Sequence, residues 1–420
     1  MGLFLTLLYV TVYYMSAPEL FPSLAAFRPQ LVTAILATAA TVLMLPVNGY
    51  PVKLPQNPLI VGLLLAAIIS RVVQLWFGGA LMVVFELGAT LIVFSLIAAN
   101  VTSLARIKIT MLVLIAVALY YAFVGSLAMN GMGSDKFLLE QPTQTGEVTY
   151  RMRGLGNVND PNDMAQVFLI AVALLGGFWT KKTRLRNLLL ILPSMALLLY
   201  GISLTRSRGA MLTLVLIVLV WKARKTNVVL AGVMAAASLV ALVAVNFTGR
   251  DVVRDDGRLM AWSAAITMFK SHPLFGVGFN AFLENHDLTT HNSYLLCLAE
   301  LGTLGFFCWM GLMVVTLLYV NQLVNKSARF PQLAEELRLA LSLRLALIAF
   351  LASSWFLSRT YTLSAYLLAG LIAVLSYLTE RRCPQAAFEW PVFRRWGWLT
   401  LVSQSVALVL AYLMIQVRII

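Results

Sequence analysis

The sequence predicts an all-α polytopic membrane protein, and three observations carry that prediction. The chain is 60% hydrophobic and only 11% charged over 420 residues, where a soluble chain holds about a quarter charged residues. Apolar runs of roughly 17–22 residues recur, each long enough to cross a ~30 Å hydrocarbon core as a helix. Between them, Lys and Arg fall in short clusters, the positive-inside pattern of a multi-spanning chain. The formal net charge of +14 is therefore assigned to membrane orientation rather than to nucleic-acid binding.

Taken in order, the runs lie near 1–17, 30–47, 59–77, 80–99, 108–128, 163–179, 187–204, 209–221, 227–246, 294–320, 339–357, 361–379 and 397–416. With one of these thirteen interfacial or re-entrant, the expectation is a bundle of about 12 (12–13) transmembrane helices in a single integral membrane domain, 1–420. The opening "MGLFLTLLYVTVYYM" lacks a basic n-region and a small-residue cleavage site, so it reads as an uncleaved first helix. The basic connectors "RIK" (106–108), "KKTRLR" (181–186), "WKARK" (221–225), "NKSAR" (325–329) and "ERR" (380–382) belong inside and agree with alternating crossings. Counting back puts the N-terminus inside; a thirteenth crossing leaves the C-terminus outside, and that end of the topology stays open.

Two segments are long enough to hold an external site, 129–162 and the large loop 247–293. In a Gram-negative bacterium both are periplasmic. No nucleotide-binding loop or paired-carboxylate metal motif is present in the sequence, so no cofactor and no metal are expected. Cys297, Cys308 and Cys383 form no metal motif and read as packing residues. An amphipathic helix is expected at about 255–270: Leu259, Trp262, Ile266 and Phe269 recur at helical spacing, with Asp255 or Asp256 as its cap. It would lie on the outer leaflet and end at "SHPLFGVGF", where Pro273, Gly276 and Gly278 turn the chain. His272 then sits at its C-terminus, interacting with the helix dipole.

The external segments break the charge rule. Arg151 and Arg153 lie in the first, Arg250, Arg254 and Arg258 in the second, and Arg206 and Arg208 at the short outer turn "SLTRSRGAML". Taken singly, an arginine there is explained by interfacial snorkelling or, for Arg254, by pairing with Asp255 or Asp256. The whole set on one face favours an anionic ligand, because the guanidinium fork binds phosphate oxygens bidentately and keeps its charge. In "GNVNDPNDMAQ" Asn162 is the expected N-cap of the sixth helix, whose N-terminus also suits an anion or a sugar hydroxyl. Arg71 and Glu86 flank Gly78–Gly79 symmetrically and read as a structural ion pair about 10 Å deep.

Only three histidines occur, and two lie in "HDLTTHNSYLLCLAELGTLGF" (286–306). His286 reads as a loop residue. His291 precedes Asn292 at the mouth of the tenth helix, with Glu300 nine residues on. The positive end of that helix favours a neutral imidazole, which is able to accept a proton.

"RGLGNVNDPNDMA", "SLTRSRGAML" and "GRLMAWSAAITMFKSHPLFGVGFNAF…HNSYLLCLAELGTLGF" together resemble the O-antigen ligase/polymerase superfamily of bacterial membrane glycosyltransferases, over about residues 150–310. The resemblance implies a GT-C-like helical bundle acting on a glycan carried by undecaprenyl pyrophosphate, at the periplasmic face of the inner membrane. It implies that Arg206, Arg208 and Arg258 stabilise the leaving pyrophosphate, with Arg151, Arg153 and Asn162 as further contacts. His291 would orient or deprotonate the acceptor hydroxyl, and Asn292 would hold His291 or the sugar. The implied partners are undecaprenyl pyrophosphate-linked O-antigen, lipid A-core and membrane lipids. Within the superfamily the ligase is favoured; the compact length speaks against a protein O-oligosaccharyltransferase, and the polymerase, which shares donor, face and motifs, is the runner-up. A lipid-linked sugar transporter is the competing class. Transporters keep their polar groups near the midplane, whereas this chain concentrates them at the outer face.

Overall fold

The computed structural model describes residues 1–50, 54–142, 148–223, 252–386 and 395–419. Helices α1 (Gly2–Met15), α2 (Pro29–Asn48), α3 (Gln56–Val73), α4 (Phe77–Asn100) and α5 (Leu104–Met129) come first. A hairpin of β1 (Leu138–Pro142) and β2 (Val148–Met152) follows, then α6 (Pro161–Leu175), α7 (Leu192–Thr205) and α8 (Arg208–Ala223). After α9 (Val252–Ser271) come α10 (Ser293–Ser327), α11 (Ala334–Ser353), α12 (Leu363–Arg382) and α13 (Trp396–Ile419).

Ten described helices are long and apolar enough to span a membrane, and α1 and α8 are shorter apolar helices. The expected run at 227–246 lies outside the described residues. The chain is thus a helical, multi-pass membrane protein, with one departure from the all-α expectation. The first external segment folds into an antiparallel hairpin, Leu138 opposite Met152. Its strands are only five residues each; β2, VTYRM, does alternate apolar and polar residues, a brief strand signal that the sequence reading did not use.

Helix α12 forms the centre of the bundle, 78% buried along its span, while Arg184–Thr205 and Trp396–Gln416 at the periphery are 28% buried. Polar ties set the ends. At one end Lys108 pairs with Glu335 at 2.7 Å and Arg382 with Glu336 at 2.5 Å, while Arg338 Nε donates to Gly177 O at 2.8 Å. The basic connectors at 106–108, 181–186 and 380–382 therefore gather around the start of α11, as alternating crossings require. The hairpin, the 205–208 turn, α9 and the 354–362 connector gather at the opposite end.

Three local expectations are corrected. Arg71 does not pair with Glu86; its Nη2 donates to Glu284 Oε1 at 2.9 Å and its guanidinium stacks on Trp76. The loop after α9 lies across the end of α3, where Ser70 Oγ accepts from Phe279 N and Gln74 donates to Gly276 O, and so brings a nearer carboxylate. Asp160, not Asn162, caps α6, its Oδ1 accepting Asn162 N–H at 2.7 Å. Pro161 explains the offset, since a proline with fixed φ and no N–H suits the first helical position. Helix α9 begins at Val252, so Asp255 and Asp256 lie inside it instead of capping it. Arg250, and the side chains of Arg254, Asp255 and Asp256, lie outside the described residues.

Helix α10 is broken at Gly302 (φ 62°, ψ −163°). The break frees carbonyls that the "PLFGVG" loop uses. Val277 N–H donates to Ala299 O at 2.9 Å and Gly278 N–H to Glu300 O at 3.0 Å, while Thr303 N–H donates to Pro273 O at 2.8 Å. Two glycines make this approach possible. A Cβ on Gly276 (φ 71°) would collide with the backbone of Glu300, and one on Gly302 with that of Leu274. The glycines of 273–278 and of "LGTLG" are the two halves of one backbone joint, which fixes both the start of α10 and the direction of Glu300.

Candidate active site

The mouth of α10 is bolted to the connector between α11 and α12. Arg359 N–H donates to Ser293 Oγ at 2.6 Å, Ser293 Oγ donates to Leu357 O at 2.6 Å, and Thr360 Oγ1 donates to Ser293 O at 2.7 Å. Asn292 caps the helix, its Oδ1 accepting the N–H groups of Tyr294 and Leu295 at 3.0 and 3.1 Å. That employs one end of the carboxamide expected to hold His291 or the sugar. The other end, Nδ2, is buried without a hydrogen-bond partner among the described residues. His291 is half-buried and adopts a left-handed backbone, φ 46°, a conformation that histidine, like Asn and Asp, tolerates better than most residues.

Helix α9 lies against the same mouth. Trp262 Nε1 donates to Thr290 O at 2.8 Å, and its ring meets that of Trp355 edge-on at 6.0 Å. Gly257 faces Leu288, whose Cδ1 would stand 3.2 Å from an added Cβ. Arg258, half-buried, is the next residue along. A helix thus stands at 252–271, over the segment expected to be amphipathic, and sits beside the loop that carries His291. His272 follows it, with Ser271 Oγ 3.0 Å from its Nδ1, and His286 folds back on Leu288 in a local turn.

The 205–208 turn reaches the connector from the other side. Gly209 is seated against Phe356, whose ring would lie 2.8 Å from an added Cβ. Arg206 is the left-handed C-cap of α7 (φ 51°), and both Arg206 and Arg208 are exposed. The elements bearing Arg206, Arg208, Arg258, His291 and Asn292 thus meet around residues 354–360. Arg151 and Asn162 are joined to this group: Arg151 Nε donates to Thr205 O at 2.8 Å and Nη2 to Asn162 Oδ1 at 3.2 Å. Arg151 is only 8% exposed, and ties β2 to the end of α7 and the start of α6. Arg153 turns to the hairpin base, donating to Lys136 O at 3.2 Å.

The sequence reading missed Arg359. Its guanidinium forms a half-buried ion pair with Asp163 and donates through Nη1 to Asn157 O at 2.6 Å. Burial lowers its pKa to about 10, opposed by the nearby Tyr13, Asp160 and Tyr14, so it stays charged at neutral pH. The signal was present: like Arg206, it is an arginine in a short turn at the end of the bundle that the orientation reading makes external.

Beside this group lies a cavity of about 740 Å³, within the ~300–1,000 Å³ of small-molecule sites. Arg359, Ser358, Thr289, Glu300, Tyr361 and Asn280 are among its lining residues, and none of the eight expected site residues is. The Thr289–Ser358 hydrogen bond at 2.7 Å stands between the cavity and the His291 loop, because Ser358 Oγ also lies 3.2 Å from Thr290 Oγ1.

No curated protein matches the chain. Residues 193–310 match the family model described as O-antigen ligase, a span running from Pro193 in α7 through Arg206, Arg208, Arg258 and His291 to Met310 in α10. Members of this family transfer glycosyl groups. That match covers 118 of the 420 residues of this multi-pass membrane protein.

Proposed function

We propose that the protein is an O-antigen ligase: it transfers O-antigen polysaccharide from undecaprenyl pyrophosphate to lipid A-core at the periplasmic face of the bacterial inner membrane. The observation that carries the proposal is the matched span itself, which contains three elements, the 205–208 turn, α9 and the mouth of α10, packed against one connector.

In this reading the acceptor hydroxyl attacks the anomeric carbon of the donor sugar from the face opposite the pyrophosphate, so the configuration inverts. The new C–O bond forms as the C–O bond to pyrophosphate breaks, and the electron pair leaves with the pyrophosphate. The acceptor proton passes to the His291 imidazole. Pyrophosphate leaves without protonation if its growing charge is met, and Arg206, Arg208 and Arg258 supply that charge from fixed backbone positions. Arg151 acts by holding the 205–208 turn, and Arg153 and Asn162 sit at the edge of the site. Asn292 keeps α10 capped while its buried Nδ2 offers a donor to a sugar oxygen.

The test is reconstitution. Purified protein in liposomes, given lipid-linked O-antigen and rough lipopolysaccharide, attaches the glycan to the lipopolysaccharide. Elongation of the carrier-bound glycan with no such attachment assigns the domain to the polymerase branch instead.

A further inference from the structure

We infer that the cavity of about 740 Å³ beside the arginine group is a pocket for a neutral sugar residue, the acceptor side of the transfer. The inference rests on the reading of the domain as a glycosyltransferase, and it concerns residues that this reading did not use.

Glu300 carries the argument. It is 2% exposed, lines the cavity, and is aimed there by the backbone joint at Gly302. Its Oε1 accepts the Phe282 N–H at 3.1 Å. Its Oε2 and the Tyr361 hydroxyl are buried and interact with one another, and neither completes a well-formed hydrogen bond with any other group among the described residues. A carboxylate oxygen and a phenol that have only each other at a cavity wall are a pair that a sugar hydroxyl can join, donating to the first and accepting from the second.

The remaining lining fits a pyranose better than a phosphate. Phe279 and Tyr361 form a tilted ring pair at 4.8 Å, and both rings line the cavity with Tyr13, offering apolar faces to the C–H faces of a sugar. The lining carries no excess of positive charge that would select an anion: Arg28 and Arg359 stand with Glu86 and Glu300, and Arg359 is already paired with Asp163. The mouth suits a glycan held by a lipid. The lining residues that stay exposed include Phe85 (54%) and Leu283 (62%), and Phe85 lies on α4, whose mean hydropathy of 2.4 marks it as a span. Glu86, mispaired with Arg71 on sequence grounds, is one residue further along that helix and lines the same opening. The cavity would then hold a sugar residue of the acceptor beside the reacting one, whose hydroxyl reaches His291 past the Thr289–Ser358 pair.

The probe is n-octyl β-D-glucopyranoside, added to the protein in lipid nanodiscs, with octyl tetraethylene glycol ether as the tail-only control. Saturation-transfer NMR reads contact with the sugar ring protons. The wild type should saturate those protons, and Glu300→Gln or Tyr361→Phe should weaken binding about tenfold, the worth of one hydrogen bond to a buried polar group. Arg208→Ala should leave the ring signal unchanged. Inorganic pyrophosphate, followed by phosphorus NMR, should show the reverse pattern, weakened by Arg208→Ala and indifferent to Glu300→Gln. Absence of ring saturation in the wild type, or equal saturation in both cavity variants, overturns the inference. Tyr361→Phe removes one oxygen only and serves if Glu300→Gln fails to fold. Pyrophosphate binding that ignores Arg208, with the sugar pattern intact, would count against the proposed role of Arg208 while supporting the pocket.

Discussion

Substituting Gly302 by alanine tests the backbone joint that organises this end of the molecule. Gly302 has φ 62° and ψ −163°, a region essentially reserved for glycine, and a side chain there costs ~1–3 kcal/mol in strain. The new Cβ would also meet the carbonyl of Leu274. Relief requires the loop to withdraw, which breaks Thr303 N–H to Pro273 O (2.8 Å) and Leu304 N–H to Leu274 O (3.4 Å), each worth ~0.5–1.5 kcal/mol. Strain and lost bonds together come to about 3 kcal/mol. The control is Gly88→Ala in α4, where nothing lies within 4 Å of an added Cβ; inside a helix that change should stabilise by ~0.5–1 kcal/mol. Thermal unfolding in detergent, followed by the fluorescence of the nine tryptophans at one heating rate, reads both. Gly302→Ala should unfold several degrees below the wild type and Gly88→Ala at or above it. A Gly302→Ala protein as stable as the wild type would refute the joint.

His291→Asn keeps a residue tolerant of the left-handed backbone, so the variant should fold normally while glycan transfer falls ~10²–10⁴-fold, the usual contribution of a general base; undiminished transfer removes His291 from that role. Arg208→Ala should lower the transfer rate ~10²–10³-fold, as loss of a charge-stabilising group does; an undiminished rate removes Arg208 from that role. Trp262→Phe removes the bond to Thr290 O and should cost ~1–3 kcal/mol for the carbonyl left buried, seen as faster proteolysis within 286–292. Arg359→Met strands the Asp163 carboxylate and should destabilise by ~3–5 kcal/mol, a loss that the double variant with Asp163→Leu partly restores in the same unfolding assay.

The spans were legible because crossing a membrane demands long apolar helices, a constraint written residue by residue in the chain. The proposed site drew notice where the sequence broke a rule: arginines on the side that the orientation reading makes external, and scarce histidines at a helix mouth. What escaped was set by distant chain. Glu284 reaches Arg71 across more than two hundred positions, so local symmetry about Gly78–Gly79 suggested the wrong partner. The hairpin escaped because its strands are only five residues each, and the alternation of VTYRM is too brief to stand out between long apolar runs. Arg359 escaped because its turn is too short to stand out, although the rule that singled out Arg206 applies to it equally. The role of Glu300 depends on the kink at Gly302, which only the docked loop explains.

The most direct test of the account is transfer by the purified protein, with lipid-linked O-antigen as donor and rough lipopolysaccharide as acceptor in one liposome. The account predicts lipopolysaccharide carrying the glycan through an inverted linkage, at a rate that collapses in His291→Asn. Longer glycan on the carrier with the lipopolysaccharide unmodified, or transfer indifferent to His291, would contradict it.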